Sequence, residues 1–511
     1  MTSSPAFNRI HQLLDRNVAL RGGETAVIDS DGRQVDWREY SAISEGYAEL
    51  MTRGGVRPGD RVLIVAENCL SVAASIFGAS RIGAWAVPVN ARMAPHELDR
   101  IMSHADPAMV IFTSQVSKEA AAHADHCSAA SVATGAGHVH VLWRDRTSEE
   151  VMEEGPGGVA VLLYTTGTTG DPKGVMLSHG NLLYAAKASA ELRDLGPGDR
   201  VYGALPLTHV FGLASMLMAS AHAGATVQLA ARFSPAALYQ ALLDGVTVLP
   251  AVPQMHALLM AYAVENGHEK LDSAVLRYVS SGAAPLDPAW KRKAEGFYGI
   301  ALQNGYGMTE STAGVSGTRN PRGLADISVG PALPGVEIAL DESMGGEPGV
   351  GEVLTRGPHV MKGYFRNPSE TAKAVSAEGW LRTGDLGKID EKQYLHIVGR
   401  CKELIIRGGF NVYPPEVEAA LNDHPAVVQS AVIGRRGEGG NEDILAFVQV
   451  TQPGVVQVSE LKEFVAGRLS NYKRPSRIFL VEALPASATG KILKHRLLSH
   501  FADLLEAPAE V

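Results

Sequence analysis

The sequence predicts an α/β protein: a large N-terminal domain of doubly wound sheets with a small β-barrel subdomain, followed by a small mobile α+β C-terminal domain. Three observations predict this class. Short apolar strands alternate with helices through more than half of the chain. From Ile327 onward the pattern changes to short strands separated by Gly and Pro, which is typical of a small β subdomain. After Gly399 a new order of strands and helices begins, over about the length of one small domain.

Composition limits the class of protein further. The 511 residues are 45% hydrophobic and 20% charged, with a net charge of −9, as in soluble multidomain enzymes. Charges of both signs are dispersed without a basic stripe, so we expect no nucleic-acid partner. The longest apolar run, Val210 to Ala221, is too short to span a bilayer. The N-terminus shows no signal peptide, and the 3 cysteines are too few for a disulfide framework, so we expect a cytoplasmic protein.

The first part of the chain predicts a β-hairpin followed by alternating strands and helices. Thr25 to Trp37 predicts the hairpin, because Asp31-Gly32 suits a two-residue turn. The alternation after it predicts parallel strands joined by helical crossovers. We expect helices over 40–51, 70–82 and 95–102, and strands over 61–65, 84–89 and 109–112. Arg144 to Gly158 is charged and rich in Gly, and it predicts a surface connection.

The alternation resumes after residue 200 and changes twice. We expect strands over 201–205, 226–229, 246–249 and 276–280, with helices over 213–221 and 235–243. The β subdomain should contain strands over 336–340 and 351–355. The last region should contain strands over 404–406, 430–434, 444–450 and 478–481, helices over 415–421 and 461–469, and a final helix from 493.

One loop carries the clearest chemical signal. Val159 to Leu163 predicts a buried strand, and Thr165 to Gly174 then holds three glycines, four threonines and one lysine. Such a loop turns backbone N–H groups and hydroxyls toward an anion. Ser178 predicts the N-cap of a following helix, so strand, loop and helix together favour a phosphate site. A flexible surface turn remains the alternative, because Pro172 before Lys173 does not match the P-loop of ordinary NTPases.

Further motifs follow strand ends downstream. Small residues over 281–285 allow a flat ring to lie on the backbone. In 303–310, Tyr306 offers a stacking face, while Thr309 and Glu310 offer the hard oxygen ligands that magnesium prefers. Asp385 is placed to accept hydrogen bonds from ribose hydroxyls. Near the C-terminus, Thr489-Gly490 predicts a tight turn that projects Lys491. Each motif taken alone is more often an ordinary turn.

Together and in this order, these stretches resemble the adenylate-forming superfamily of acyl-CoA synthetases, peptide-synthetase adenylation domains and beetle luciferases. The resemblance covers about residue 20 to about residue 500. It implies an N-terminal domain over 1–399 that binds ATP and the acyl group, a hinge over 400–403, and a mobile C-terminal domain over 404–511.

The resemblance also assigns site residues. It implies that the β- and γ-phosphates of ATP are held by the loop residues Thr165, Thr166, Gly167, Thr168, Thr169, Gly170 and Lys173. It places around the adenine Ala283, Ala284 and Tyr306, with Gly282, Asn304, Gly305, Gly307 and Met308 in the same nucleotide site. Thr309 would contact the α-phosphate, Glu310 and Thr165 would bind Mg²⁺, and Asp385 and Arg400 would bind the ribose. Lys402 is the hinge, and Gly408 and Gly409 would line the pantetheine channel.

The chemistry implied is the AMP-forming ligation of an acid to a thiol, with ATP, Mg²⁺ and coenzyme A. The acid attacks the α-phosphorus, pyrophosphate leaves, and the thiol of CoA then displaces AMP. The implied catalytic residues are Lys491, His209, Glu310 and Thr165. Cationic groups are needed because two anions must meet in the first step. In the second step the C-terminal domain swings about Lys402 and replaces Lys491 by Gly409.

The sequence narrows the class of carboxylic acid that the protein would use, but it does not identify the acid. The stretch 203–222 has no acidic residue to pair with an ammonium group, which disfavours amino acids. Gly305 stands where dicarboxylate-using relatives carry an arginine, which disfavours a second carboxylate. Phe211, Leu213, Met216 and Met218 predict an apolar pocket. We therefore expect a medium- or long-chain fatty acid, with an aryl or cinnamate-like acid as the alternative.

The same motifs are compatible with other functions. An acyl-AMP ligase that loads a carrier protein would use the same first step, and a luciferase-like oxygenase would consume oxygen. A silent acyl or nucleotide sensor is disfavoured because Glu310, Asp385 and Lys491 are intact. The sequence leaves open whether the chain acts as a monomer or as a homodimer.

Overall fold

The computed structural model describes residues 7–145, 153–166, 172–283, 286–344, 347–407, 410–436, 442–450, 452, 454–486 and 492–506. The strands are β1 (Thr25–Ile28), β2 (Gln34–Asp36), β3 (Arg61–Ala66), β4 (Trp85–Asn90), β5 (Met109–Phe112), β6 (Ala130–Thr134), β7 (Gly137–Trp143), β8 (Val159–Thr166), β9 (Pro172–Ser178), β10 (Arg200–Gly203), β11 (Thr226–Leu229), β12 (Val248–Ala251), β13 (Tyr278–Ser281), β14 (Leu302–Tyr306), β15 (Ser316–Gly317), β16 (Glu337–Asp341), β17 (Gly351–Arg356), β18 (Gly363–Tyr364), β19 (Leu381–Ile389), β20 (Leu395–Arg400), β21 (Ile405–Arg407), β22 (Phe410–Val412), β23 (Val427–Arg436), β24 (Glu442–Val450) and β25 (Arg477–Val481).

The helices alternate with these strands. They are α1 (Gln12–Arg21), α2 (Trp37–Arg53), α3 (Leu70–Ile82), α4 (Pro95–Ala105), α5 (Lys118–His126), α6 (His179–Arg193), α7 (Val210–Gly212), α8 (Ala219–Ala223), α9 (Pro235–Leu243), α10 (Pro253–Glu265), α11 (Pro288–Tyr298), α12 (Pro368–Ala374), α13 (Pro414–Asn422), α14 (Val458–Ala466), α15 (Leu497–His500) and α16 (Ala502–Glu506). None of these described helices combines the length and the apolar character that crossing a bilayer requires.

Two eight-stranded sheets form the large N-terminal part. One has the order β15-β14-β13-β12-β10-β11-β1-β2, and its central strands are parallel as predicted. The other has the order β18-β9-β8-β4-β3-β5-β7-β6. Only its centre is parallel, because the hairpins β6–β7 and β8–β9 reverse the chain without a crossover helix. The prediction of parallel sheets therefore holds for the centres and is wrong for the edges.

A shared core joins these two sheets. Every residue of α3 from Leu70 to Ser80 is buried, as expected for a helix enclosed by other layers rather than lying on a surface. One continuous cluster of buried side chains includes Val27 and Val201 of the first sheet, and Val62 and Val161 of the second. Apolar packing between the two sheets therefore fixes the positions of their strand ends relative to each other.

The predicted β-barrel subdomain is an open sheet. Four antiparallel strands follow the order β16-β17-β19-β20, and the outer two do not pair with each other among the described residues. Four short strands are too few to close around a filled interior, for which about eight are usual. The sheet matters for the site because its last strands carry Asp385 and Arg400 opposite each other.

The C-terminal part has its own core. The sheet β23-β24-β25 carries α13 and α14 over one cluster of buried side chains. A second cluster on the sheet combines Phe447 and Phe479 with Leu497 of α15. Both clusters are made of residues between Ile405 and Leu497. This small α+β unit therefore has hydrophobic clusters of its own, as separate domains do.

Several predicted elements differ from the structure. The helix predicted over 213–221 is a π-helical segment over Leu213–Met218 followed by α8, and α7 directly precedes it. The helix predicted from 493 is a 3₁₀ turn at Lys494–Arg496 followed by α15 and α16. The sequence analysis also missed α5, the β6–β7 hairpin, β9, α10 and α11. Residues 146–152 of the predicted surface connection lie outside the described residues.

Candidate active site

The strands on either side of the Gly- and Thr-rich loop, β8 and β9, pair with each other. Thr165 of β8 lies opposite Lys173 of β9 in antiparallel register. The predicted order of strand, loop and helix is therefore wrong, because β9 intervenes before α6 begins at His179. Ser178 does cap that helix, accepting a hydrogen bond from the backbone N–H of Asn181 at 3.0 Å. Any phosphate held here must therefore be bound by the loop's own donors and by Lys173, rather than by the start of α6.

Part of the predicted phosphate-binding loop lies outside the described residues. The predicted binding residues Gly167, Thr168, Thr169 and Gly170 lie outside the described residues, as does the side chain of Thr166. What the structure does place is the base of the hairpin, through Thr165 and Lys173.

Lys173 has two partners that sequence analysis did not identify. Its Nζ lies 2.5 Å from Oε2 of Glu370 and 5.1 Å from the centre of the Tyr364 ring. The lysine charge is thus held by a carboxylate and by the face of an aromatic ring. No motif pointed to Tyr364 or Glu370, since neither follows a strand end or a Gly-rich turn in the way the other site residues do.

Glu310 lies in a tightly constrained turn. Thr309–Ser311 forms one turn of 3₁₀ helix, and Thr312 and Ala313 after it have positive φ angles of 48° and 72°. Gly307 approaches this turn so closely that a Cβ there would lie 2.1 Å from the carbonyl oxygen of Ala313. Thr309 and Glu310 are each only 8% exposed. The constrained backbone of this turn therefore fixes the directions of the Thr309 and Glu310 side chains.

The Glu310 carboxylate is oriented by Tyr364. The Tyr364 hydroxyl donates a hydrogen bond to Oε1 of Glu310 at 2.9 Å. Burial raises the pKa of Tyr364, and the charge of Glu310 raises it further, so the phenol keeps its proton. The described residues contain no group of three His, Cys, Asp or Glu side chains placed to enclose a metal. One oriented carboxylate instead fits Mg²⁺, which commonly takes one or two carboxylates and completes its shell with water and nucleotide phosphates.

The carboxylate of Asp385 contacts Tyr306, at the other end of the segment 306–310 from Glu310. Tyr306 donates a hydrogen bond from its hydroxyl to Oδ2 of Asp385 at 2.6 Å, and Nε of Arg400 lies 2.9 Å from Oδ1. Burial, together with the charge of Asp385, raises the pKa of Tyr306 well above its usual value. The predicted ribose pair Asp385 and Arg400 is thus brought together and is joined to the predicted adenine-stacking residue.

The predicted adenine-binding residues lie at neighbouring strand ends. Gly282 and Ala283 follow β13, and Ala283 has a positive φ of 68°. Asn304 of β14 donates from Nδ2 to the carbonyl of Ser328 at 3.0 Å and accepts at Oδ1 from the N–H of Gly305. Met308 donates its N–H to Oγ of Ser311 at 2.9 Å. Ala284 lies outside the described residues.

A cavity of about 220 Å³ opens beside this edge. It is lined by His209, Phe211 and Ala283 among others, so it adjoins the predicted nucleotide site. Nδ1 of His209 accepts the backbone N–H of Phe211 at 3.3 Å, which leaves the proton of the neutral ring on Nε2. His209 caps α7, directly before the π-helical segment, an irregularity often found at functional sites.

The predicted apolar pocket is only partly correct. Phe211 lines the cavity, whereas Leu213, Met216 and Met218 are 0% exposed and belong to the core shared by the two large sheets. Every residue of the π-helical segment Leu213–Met218 is buried, so these three side chains pack in the core rather than around the cavity.

Charged residues that the sequence analysis missed line the same cavity. Glu67 is buried, and its Oε1 lies 3.3 Å from Nε of Arg92 and 3.0 Å from Nε of Arg232. Arg232 also pairs with Glu119. The Arg92 and Arg232 side chains are 39% and 45% exposed, so an anion in the cavity can reach both.

The hinge and the predicted catalytic lysine belong to the C-terminal region. Lys402 lies in a single 3₁₀ turn over Cys401–Glu403. Gly408, Gly409 and Lys491 lie outside the described residues. The residues on either side of this stretch pair with each other: Ala486 forms a β-bridge with Ile492, and the N–H of Leu493 donates to the carbonyl of Pro485 at 2.8 Å.

A half-buried ion triad ties Lys494 to the predicted hinge. Nζ of Lys494 lies 2.7 Å from Glu418 of α13 and 3.2 Å from Glu403, the residue after Lys402. Burial alone would lower the pKa of Lys494, but the two carboxylates raise it above its usual value. Sequence analysis missed this triad, because its members are separated by up to about 90 positions.

Comparison with known proteins identifies the family. The AMP-binding enzyme model matches residues 14–365, and the model of the AMP-binding enzyme C-terminal domain matches residues 416–491. An indoleacetate–CoA ligase of Aromatoleum aromaticum is 31% identical, over 95% of this chain and 96% of the relative. The 4-coumarate–CoA ligase 1 of Oryza sativa is 31% identical, over 98% and 92%. A long-chain-fatty-acid–CoA ligase of Mycobacterium tuberculosis is 32% identical, over 92% and 93%.

Solved structures agree with these relatives. ATP-bound MatB from Rhodopseudomonas palustris superimposes with a TM-score of 0.83 at 29% identity, over 98% of this chain and 100% of MatB. The o-succinylbenzoate CoA synthetase of Bacillus subtilis in complex with ATP and magnesium superimposes with a TM-score of 0.80 at 28% identity, over 95% and 98%. The match therefore extends over both the sheets of the large domain and the small C-terminal domain. This protein belongs to the AMP-binding enzyme family, as an AMP-forming acid–thiol ligase.

Proposed function

We propose that the protein converts a monocarboxylic acid, ATP and coenzyme A into an acyl-CoA, AMP and pyrophosphate by way of an acyl-adenylate. One observation carries this proposal: residues from distant parts of the chain meet the short segment 306–310. Asp385 and Arg400 reach it through Tyr306, and Lys173 reaches it through Tyr364 and Glu310. The proposed nucleoside-binding and phosphate-binding groups thus contact opposite ends of the same five-residue segment.

The assignment of roles follows this polarity. Asp385 and Arg400 are proposed to hold the ribose, with Tyr306 and Ala283 against the adenine. Lys173 and the hairpin loop are proposed to hold the β- and γ-phosphates. Glu310 and Thr165 would hold Mg²⁺, which when bound offsets phosphate charge while the carboxylate approaches the α-phosphorus. Lys491 supplies the remaining positive charge, for which a loss of about 10²–10³ in rate on removal is typical.

The second half-reaction needs a different arrangement. Once adenylate has formed, a thiol must reach the acyl carbon and Lys491 has no further role. We propose that residues 404–511 rotate about the hinge at 400–403 and bring Gly408 and Gly409 to the channel. His209 lies at the junction between the nucleotide site and the cavity. It is placed to border both the acyl carbon and the incoming thiol.

Coenzyme A is the proposed acceptor because of the charge in the cavity. Arg92 and Arg232 line it together with His209. CoA carries three phosphate groups beyond its pantetheine arm, whereas the arm of a carrier protein carries one. Guanidinium groups pair well with phosphates, which favours the soluble cofactor over the protein-bound arm.

The acid is proposed to have a compact apolar body. Relatives of nearly equal identity act, by name, on indoleacetate, 4-coumarate and long-chain fatty acids. Because Leu213, Met216 and Met218 are packed in the core, the described residues do not outline a long apolar channel. The cavity of about 220 Å³ is also below the roughly 300–1,000 Å³ usual for ligand pockets. We therefore rank aryl and cinnamate-like acids before the long-chain fatty acids that the sequence first favoured.

A substrate panel tests the proposal. Pyrophosphate release and AMP formation are measured with indoleacetate, 4-coumarate, octanoate, palmitate and a dicarboxylate, each with and without CoA. The proposal expects AMP and acyl-CoA in equal amounts, with the compact monocarboxylates turned over fastest. ADP and inorganic phosphate as products would overturn the function. AMP formation with palmitate alone would overturn only the ranking of acids.

A further inference from the structure

We propose that Tyr364 is a positioning residue of the nucleotide site: its hydroxyl sets the Glu310 carboxylate in the orientation that receives magnesium, while its ring holds Lys173 beside it. This inference rests on the proposed adenylation function. It adds a residue, remote in sequence from every motif, through which the metal-binding and phosphate-binding parts of the site are joined.

The two contacts of Tyr364 point in different directions. Its hydroxyl donates to Oε1 of Glu310 at 2.9 Å. Its ring face lies 5.1 Å from Nζ of Lys173, which is itself paired with Glu370 at 2.5 Å. The Tyr364 side chain therefore sets the distance between the Glu310 carboxylate, the proposed magnesium ligand, and the Lys173 ammonium group, the proposed phosphate partner.

The backbone of Tyr364 is held by the phosphate hairpin. In β18, Tyr364 pairs with Val175 of β9. Hydrogen bonds continue on both sides, from the N–H of Phe365 to the carbonyl of Gly174 at 2.7 Å and from the N–H of Lys362 to Met176 at 3.0 Å. The tyrosine thus moves with the strand that carries Lys173.

The same segment is also bonded to the turn that carries Glu310. The N–H of Met361 donates to the carbonyl of Glu310 at 2.9 Å, and Oγ1 of Thr312 donates to the carbonyl of His359 at 2.7 Å. Residues 359–365 therefore connect two parts of the site that are more than 130 positions apart in the sequence. Within this segment, Tyr364 is the residue whose side chain contacts the Glu310 carboxylate.

The hydrogen bond has a specific chemical consequence. With Oε1 engaged by a hydroxyl donor, Oε2 of Glu310 keeps its lone pairs for a cation. Partners that orient a metal-binding carboxylate commonly matter about 10- to 100-fold in metal affinity. A tyrosine that served only as packing would leave the metal requirement unchanged when its oxygen is removed.

The test uses full-length protein and the substitution Tyr364→Phe, which removes the hydroxyl and keeps the ring over Lys173. Binding of α,β-methylene-ATP is measured by isothermal titration calorimetry at a series of Mg²⁺ concentrations. Tyr47→Phe is the matched control, because Tyr47 is a buried tyrosine whose hydroxyl contacts Ser71 and Thr134, away from Glu310 and Lys173. Thermal unfolding of all three proteins is followed in parallel.

We expect Tyr364→Phe to raise the Mg²⁺ concentration needed for half-maximal nucleotide binding by about tenfold or more. Tyr47→Phe should leave that concentration unchanged, whatever its effect on thermal stability. Equal magnesium requirements in Tyr364→Phe and the parent would overturn the inference and leave the proposed function standing. If the parent itself binds the nucleotide independently of Mg²⁺, both the inference and the assigned role of Glu310 fail.

Discussion

The Tyr306 hydroxyl donates a hydrogen bond to Oδ2 of Asp385 at 2.6 Å, and the two residues are 79 positions apart in the sequence. Asp385 is only 5% exposed, and Arg400 occupies its other oxygen. The carboxylate is therefore oriented by two protein donors before any nucleotide arrives. Ribose hydroxyls would bind to a group whose position is already determined.

Tyr306→Phe tests the importance of this bond. Removing the hydroxyl leaves a buried carboxylate oxygen without its donor, which costs about 1–3 kcal/mol in the free energy of unfolding. Because the aromatic face remains, stacking on adenine should persist while the KM for ATP rises. Urea unfolding and initial-rate kinetics measure the two effects. An unchanged free energy of unfolding would show that water replaces the hydroxyl at no cost.

Lys491→Ala separates the two half-reactions. The proposed role of Lys491 is to offset negative charge only while pyrophosphate departs, so pyrophosphate release should fall by about 10²–10³. Thiolysis of a supplied acyl-adenylate by CoA should stay close to the parent rate. Quenched-flow measurements of each half-reaction provide the comparison. Retained adenylation would contradict the role given to this lysine.

Lys494→Met examines the ion triad next to that lysine. Removing one member of a buried ion group leaves Glu403 and Glu418 uncompensated, which destabilises by about 3–5 kcal/mol when burial is complete. The Lys494 side chain is 18% exposed, so we expect a smaller loss, measured by urea unfolding. Combining Lys494→Met with Glu418→Gln should recover part of it. A double variant no more stable than Lys494→Met would argue against charge as the cause.

Arg92→Gln examines the acceptor. If Arg92 pairs with a phosphate of CoA, losing that charge-assisted hydrogen bond should raise the KM for CoA by about tenfold. The rate of adenylate formation without CoA should not change, because the phosphates of CoA take no part in the first step. Lys187→Gln, which removes an exposed charge on α6, serves as the control. A changed first half-reaction would place Arg92 in the acid or nucleotide site instead.

His256 provides a pH test of the fold. It is 0% exposed, with Tyr298 and the carbonyl of Ser280 as its hydrogen-bond partners, and burial lowers its pKa to about 4. Between that pKa and the ordinary value of 6.5, the unfolded chain binds a proton that the folded chain does not, so stability falls as pH falls. For one such group the loss from pH 7.5 to 5.5 is about 1.4 kcal/mol. His256→Asn should reduce the measured loss by this amount. An unchanged pH dependence would assign the effect to other buried histidines.

The sequence by itself determined which segments are buried and where the chemistry is located. The bounds predicted for α3, β5, β11 and α9 agree with the structure, because apolar periodicity is a local property of the chain. The order of the motifs was enough to identify the family, since each motif is a short stretch with its own spacing. The capping role of Ser178 was also readable, because it depends on residues only three positions away.

The tertiary structure alone decided how those segments meet. Only pairing across the sheet turns residues 172–178 into β9, because a strand that contains Pro and Gly lacks a clear alternation of its own. The positions of Tyr364, Arg92 and Lys494 at the site likewise depend on contacts between segments far apart in the chain. Local sequence patterns predict which residues are buried. They do not predict which residue pairs with a buried charge, because burying that charge is unfavourable unless tertiary packing brings a specific partner to it.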